Sequence, residues 1–370
     1  MGLILVRYGE IALKGANRPS FIKQLRSNIH ACLQGRDIPH TIETVHGRIY
    51  VHTEQVQQAL EGLRTVFGVV SFSPAVAAPA EFEAICEAAL AVAREAGHSP
   101  SRSFRVLASR ADKTFPIISP ELKRLVGDRI HKTLGGRVDL SDAADLTVGV
   151  EVRPEGARVY GQTFAGPGGL PLGTGGRAVA LISGGIDSPV AAWMMMKRGC
   201  VIIPVHLSQS EVETNKALEN CQQLASWSHG WRIRPIVINQ EEAFGETYRK
   251  LQRIGAERWT CIFCKRTLMA KAAELAVEHH ANAIVTGENL GQVASQTLPS
   301  LEAISYGVPK PILRPLIGFD KVEITGLAQR IGTFDISTRD SAPCPYLPDR
   351  VVTTATMDEF RRVLEDLARL

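Results

Sequence analysis

No apolar run in this 370-residue sequence approaches the roughly 20 residues needed to cross a bilayer. The opening, Met1 to Tyr8, lacks the charged start, long apolar core and cleavage site of a secretory signal. The chain is therefore expected to work in the cytoplasm, away from membranes. Cysteine is scarce too: seven thiols, an odd number spread widely, argue against a disulfide framework. There is no internal repeat beyond an alternation of strands and helices, and no low-complexity stretch apart from one glycine-rich segment. What is left is an ordinary globular composition, 45% hydrophobic, long enough for two or three domains.

The net charge of +4 is mild but uneven. Between Arg102 and Lys132 eight basic residues face three acidic ones, a local +5 that suits a polyanion. Arg102, Arg105, Arg110, Lys113, Lys123 and Arg124 are the candidate nucleic-acid contacts. A solvated helix face is the competing reading.

Hydrophobic periodicity predicts strand Leu3–Val6, helix Ser20–Leu33, strands Thr41–Val45 and Arg48–His52 joined through His46-Gly47, helix Glu54–Arg64 and strand Gly68–Ser73. That β-α-β-β-α-β order reads as a ferredoxin-like α+β module. After Pro74 and Pro79 a second α/β unit follows, with helices Glu81–Ala96 and Pro120–Leu134 and strands near 103–109, 146–152 and 157–164. Gly166 to Gly176, GPGGLPLGTGG, can sustain neither period and reads as a linker. Beyond it strands and helices alternate, which implies a doubly wound parallel sheet with its ligand at the carboxyl ends of the strands.

The stretch Ala178 to Gly199, AVALISGGIDSPVAAWMMMKRG, turns from an apolar strand into a Gly-rich loop and then a helix. Gly184 and Gly185 suit a tight or left-handed turn, and Ser188-Pro189 read as a helix N-cap with proline at the first helical position. Amides at the positive end of a helix dipole make a ready phosphate site. No lysine closes the loop, so this is not a Walker loop. SGGxDS resembles the PP-loop of ATP pyrophosphatases, which cleave ATP between its α and β phosphates. The candidate nucleotide residues are Leu181, Ile182, Ser183, Gly184, Gly185, Asp187 and Ser188, with His206 and Leu207 at the next strand end. In Thr286 to Thr297, TGENLGQVASQT, Gly287 would let a base or ribose approach the backbone. Gln296, read as lying within a helix, would reach it by its amide, a structural cap being the alternative. Lys265 and Arg266 could neutralise phosphate or simply solvate a helix start.

Cys261 and Cys264 form a Cys-x-x-Cys just ahead of a helix, and Cys344 sits between Pro343 and Pro345. The set fits a redox pair, part of a zinc site or ligands of an iron–sulfur cluster. No second Cys-x-x-Cys follows, and His279 and His280 lie about four helical turns beyond Cys264, too far to share a tetrahedron. Zinc is the weaker reading. Cys32, Cys86, Cys200 and Cys221 read as buried structural thiols.

Taken together, LILVRYGEIALKG from Leu3 to Gly15, LISGGIDSPVAAW from Leu181 to Trp193, and TGENLGQVASQT resemble the tRNA 4-thiouridine synthetase (ThiI) family over the whole chain. The resemblance implies a ferredoxin-like domain over roughly residues 1–56, a tRNA-binding THUMP domain over 57–166, a linker at 167–172 and a PP-loop ATP pyrophosphatase domain over 173–370. It implies ATP with Mg²⁺, adenylation of the uridine at tRNA position 8, and replacement of AMP by sulfur. Many members carry a rhodanese domain after the PP-loop domain, and no such segment precedes Leu370. The sequence resembles instead the subset in which three cysteines, here Cys261, Cys264 and Cys344, hold a 4Fe–4S cluster. Expected partners are tRNA and a sulfur donor, either sulfide or a cysteine desulfurase, with a homodimer as an open expectation. A persulfide on Cys344 is the alternative route for sulfur, and a PP-loop enzyme acting on another substrate is the alternative function.

Overall fold

The computed structural model describes residues 2–45 and 47–370, so the expected turn at His46 lies outside the described residues. The chain divides into two compact units, Met1–Gly169 and Leu170–Leu370. The first begins with β1 (Gly2–Tyr8), α1 (Arg18–Gln34), β2 (Thr41–Val45), β3 (Arg48–Thr53), α2 (Val56–Leu63) and β4 (Val69–Ala78), the expected β-α-β-β-α-β order. β1 pairs antiparallel with both β3 and β4, so that Leu5 stands between Tyr50 and Ser73. Its apolar run is continuous because both faces are covered: Ile4 and Val6 pack with Leu25 and Ile29 of α1, while Leu3 and Leu5 pack with Tyr50.

β4 departs from expectation. It runs on through Pro74 to Ala78, pairing first with β1 and then with β8. Pro74 costs one ladder donor, yet the length of β4 lets two modules share a strand. The second module adds α3 (Phe82–Glu95), β5 (Ser103–Arg110), α4 (Ser119–Leu134), β6 (Arg137–Val138), β7 (Leu146–Arg153), β8 (Gly156–Tyr160) and β9 (Phe164–Ala165). The result is a nine-stranded sheet in the order β2-β3-β1-β4-β8-β7-β5-β6, with β9 on β4. The expected strand over 157–164 is broken in two at residues 161–163.

The second unit contains β10 (Arg177–Leu181), α5 (Asp187–Lys197), β11 (Val201–Ser208), α6 (Glu211–Ala225), β12 (Ile236–Asn239), α7 (Gln240–Arg253), α8 (Thr260–Glu278), β13 (Ala283–Val285), α9 (Leu298–Ser305), β14 (Ile312–Leu313), α10 (Lys321–Ile331), α11 (Phe334–Ser337) and α12 (Met357–Ala368). Its five strands are all parallel in the order β12-β11-β10-β13-β14, so the direction of winding reverses between β10 and β13. Ligands of open α/β sheets bind at such a switch point. The glycine-rich segment is less free than a linker: Leu170 and Leu172 are buried, and the amides of Leu170, Gly173 and Gly175 donate to carbonyls of Lys197 and Gly199.

Candidate functional site

The loop from Ile182 to Ile186 leaves β10 at the switch point and enters α5 two residues before the expected N-cap. Asp187 and Ser188 are both helical, and Ser188 caps nothing. Its buried hydroxyl instead accepts from the Ser183 amide at 2.7 Å and lies 2.9 Å from the Ser183 hydroxyl, closing the loop into a ring. Neither Gly184 nor Gly185 has a positive φ, so the turn needs no left-handed residue. Gly184 leaves room for α6: a Cβ there would come 2.5 Å from a Glu213 carboxylate oxygen, which would have to move aside. The first amides of α5 have no intrahelical acceptor and lie at the end of the helix where the loop joins it.

A cavity of about 320 Å³ opens over this loop. All the sequence-predicted nucleotide residues line it except Arg266. Arg266 points to another face of α8, where its guanidinium donates to the Tyr306 carbonyl and lies 5.6 Å from the Phe360 ring centre. Gln296 lines the cavity but precedes α9, in a short 3₁₀ turn over Ala294–Gln296. Gly287 does admit a close approach, but by the chain itself: a Cβ would stand 2.6 Å from the Ser188 amide nitrogen. The two crossing loops are thereby pressed together at the switch point.

His206 is buried at the end of β11, its Nδ1 2.9 Å from the Ile182 carbonyl. A carbonyl only accepts, so Nδ1 carries the proton. Burial holds this imidazole below its ordinary value, and it is neutral at physiological pH. Lys265 meets the buried Glu288 at 3.5 Å, and Arg314 holds the other oxygen of that carboxylate at 2.7 Å.

Sequence reasoning missed Lys321, whose Nζ lies 2.5 Å from Asp187 Oδ1, while Gln292 donates to Oδ2 at 3.0 Å. No local motif marks Lys321; it follows the capping residue Asp320 of α10 and lies far from the loop in sequence. Also missed were Glu213 and Lys216 of α6. Lys216 is buried, and its ammonium donates to Glu213 at 3.2 Å, the Arg339 carbonyl at 3.2 Å and the Ser341 hydroxyl at 2.8 Å. The α6 face that meets the Gly-rich loop therefore also holds the segment leading to Cys344.

Cys261 and Cys264 lie within the first two turns of α8 rather than ahead of it, and at i, i+3 they share one face. Cys264 lines the cavity itself. The third thiol converges on them: the Gln240 amide nitrogen lies 3.5 Å from Cys264 Sγ and 3.8 Å from Cys344 Sγ. Tyr346 anchors the Cys344 segment by packing tilted against Tyr248 at 4.7 Å and edge-on to Phe244 at 5.8 Å. Burial pushes the Cys264 thiol up to about 11. Among the described residues no three His, Cys, Asp or Glu side chains are arranged to hold a single metal ion. The four remaining cysteines are buried, and burial pushes Cys221 up to about 12.

In the first unit the basic segment is partly committed to structure. Arg102 donates to the carbonyls of Ala96, Gly97 and Asp145, Arg105 pairs with Asp142 and bonds Thr147, and Arg110 donates to the Phe115 carbonyl. Lys113 is exposed, Arg124 is exposed but paired with Asp128 at 2.8 Å, and Lys123 is half-buried on α4.

Three family models match the chain: "ThiI ferredoxin-like domain" over residues 3–73, "THUMP domain" over 79–161 and "Thiamine biosynthesis protein (ThiI)" over 173–368. A "Probable tRNA sulfurtransferase" of Thermococcus kodakarensis is 40% identical over 366 residues, covering 98% of this chain and 96% of the relative. One of the same description from Moorella thermoacetica is 41% identical, covering 99% and 93%. Among solved structures, a 4-thiouridine synthetase in complex with RNA and ATP superposes with a TM-score of 0.87 at 32% identity, covering 100% of this chain and 95% of that one.

Proposed function

The chain belongs to the ThiI family, and from that premise we propose that it is an ATP-dependent tRNA sulfurtransferase that makes 4-thiouridine at tRNA position 8. The observation that carries the reading is that Cys264 and the Gly-rich loop wall the same cavity, so activation and sulfur arrival share one space.

The C4 carbonyl of uridine offers only oxide as a leaving group, and adenylation converts that oxygen into part of AMP. The loop over Ser183–Ser188, with α5 behind it, would hold the β,γ-pyrophosphate while O4 attacks the α-phosphate. ATP enters as its magnesium complex. Magnesium held chiefly by substrate phosphates needs only one or two protein carboxylates. Asp187 supplies one, and Lys321 is placed to balance it and to meet the charge developing on the departing pyrophosphate. A sulfur nucleophile then adds at C4 and AMP leaves with O4.

Sulfur would reach C4 from the three-cysteine side. Cys264 and Cys344 meet at one amide, and Cys261 lies on the same helix face as Cys264, a set of three thiols that suits a 4Fe–4S group, which takes one cysteine per iron. Such a group, held by Cys261, Cys264 and Cys344, would leave one iron without a protein ligand, open to accept sulfide. Exposed Lys113 and Arg124, with Lys123, remain the candidates for tRNA phosphates, whereas Arg102, Arg105 and Arg110 would contribute mainly by shaping that surface.

Anaerobic purification with iron and sulfide analysis, followed by tRNA thiolation assays on each Cys→Ser variant, tests the reading. All three variants should lose both iron and thiolation. They should keep tRNA-dependent pyrophosphate release from ATP. Full thiolation by iron-free protein would overturn the cluster and favour a persulfide on Cys344. Pyrophosphate release that ignores tRNA would overturn the substrate.

A further inference from the structure

Gln240 opens α7 directly after Asn239, whose side chain accepts from the Glu242 amide and so caps the helix. Gln240 has no such local task. It is 2% exposed, its Nε2 faces the sulfurs of Cys264 and Cys344, and its Oε1 is buried without a hydrogen-bond partner. An amide in that state is costly in a wall that a methionine or leucine could fill at no polar cost. The cost is offset if the sulfurs it faces become anionic. A thiol both donates and accepts, but a thiolate only accepts, so deprotonated cysteines select the orientation in which the N–H groups point at sulfur. The bonds then become charge-assisted and stronger.

We propose that Gln240 is a positioning residue of the three-cysteine site. Its amide N–H groups tether Cys264 of α8 to Cys344 of the distant loop and stabilise negative charge on their sulfurs. The proposal rests on the iron–sulfur reading given above. Donors to the ligand sulfurs favour the more negatively charged, reduced state of a cluster and raise its potential. Gln240 thus sets both the geometry and the redox poise of whatever those thiolates hold.

The test is anaerobic reconstitution of the full chain with iron and sulfide as wild type, Gln240→Met and Gln240→Glu. Met keeps length and apolar packing without donors, and Glu keeps shape while adding charge. The readouts are iron content, thermal melting and midpoint potential in a reductive titration. The expected result is intact iron in all three with the potential falling in the order Gln, Met, Glu. Loss of iron from both variants with unchanged melting also supports the tether. Equal potentials in wild type and Gln240→Met at equal iron content would overturn the proposal and leave the cluster reading standing. Iron loss that only follows a collapse in melting temperature would overturn it in favour of packing. A wild type that binds no iron overturns the cluster reading and the proposal together.

Discussion

Asp187 is the residue on which several dependences meet. It begins α5 in the loop, and its two carboxylate oxygens are held by Lys321 and Gln292. Asp187→Ala and Lys321→Ala should each lower ATP-dependent thiolation by about 100-fold, on the scale of removing one electrostatic contact to a transition state. Both should leave tRNA affinity near wild type in filter binding. Gly287→Ala should act through shape, because its Cβ would stand 2.6 Å from the Ser188 amide nitrogen. A raised KM for ATP and a lower melting temperature are expected. His206 supplies the pH dependence at this scale. Its ordinary value is 6.5, and burial sets the native value lower. Its contribution to stability is therefore complete above pH 6.5 and is lost as pH falls through the native value. Melting of wild type should decline faster than that of His206→Gln as pH drops below 6.5.

At the scale of elements, α6 is the connecting piece. Lys216 ties Arg339 and Ser341 to a helix that also borders Gly184, and Asn220, one turn on, donates to the Ser337 hydroxyl at 3.1 Å. Lys216→Met would leave Glu213 and the Ser341 hydroxyl without their cation, at a cost of about 1–3 kcal/mol. The Cys344 segment should loosen as a result. Faster alkylation of Cys344 than of Cys261, followed by peptide mass spectrometry, is the expected sign; an unchanged ratio would mean that the Tyr346 and Gln240 contacts hold the segment without Lys216.

Over the whole molecule, two kinds of charge must be separated. Glu151 is buried on β7, with Arg7 of β1 at 2.9 Å, Arg48 of β3 at 3.0 Å and Arg153 at 3.2 Å. Burial alone would raise its carboxyl, but Arg48 and Arg7 more than compensate and hold it below its ordinary 4.5. This cluster clamps the two modules of the first unit where they share β4. Glu151→Ala should destabilise that unit by roughly 3–5 kcal/mol, the cost of stranding buried cations. Because the native value is lowered, the stabilisation is complete above pH 4.5 and is lost as pH falls through it; Glu151→Gln should remove that acid dependence from the melting curve. The outward charges have a different role. Reversing Lys113 and Lys123 should weaken tRNA binding without moving the melting temperature. The salt dependence of binding should become shallower by about one unit of slope for each phosphate left without its lysine.

The sequence by itself determined the strand–loop–helix over Ala178 to Gly199, the parallel alternation after it and the ferredoxin-like order before it. Each is encoded by neighbours, through apolar period and glycine and proline placement, although the expected Ser188 cap did not form. It also marked Cys261, Cys264 and Cys344, because the spacing of the first two and the flanking prolines of the third are local. Tertiary structure alone decided what lies far apart in the chain. Pro74 read as a break, yet pairing on both sides carried β4 through it. Lys321 carries no motif of its own, and only the return of the chain after β14 brings it to Asp187. Arg266 follows Lys265, but one step around a helix is about 100°, which sends the two to different faces. Arg105 and Arg110 counted as free charge until the fold supplied their acceptors. Gln240 lay in a polar helix start, and only the packing of α7, α8 and the Cys344 segment turned its amide toward sulfur.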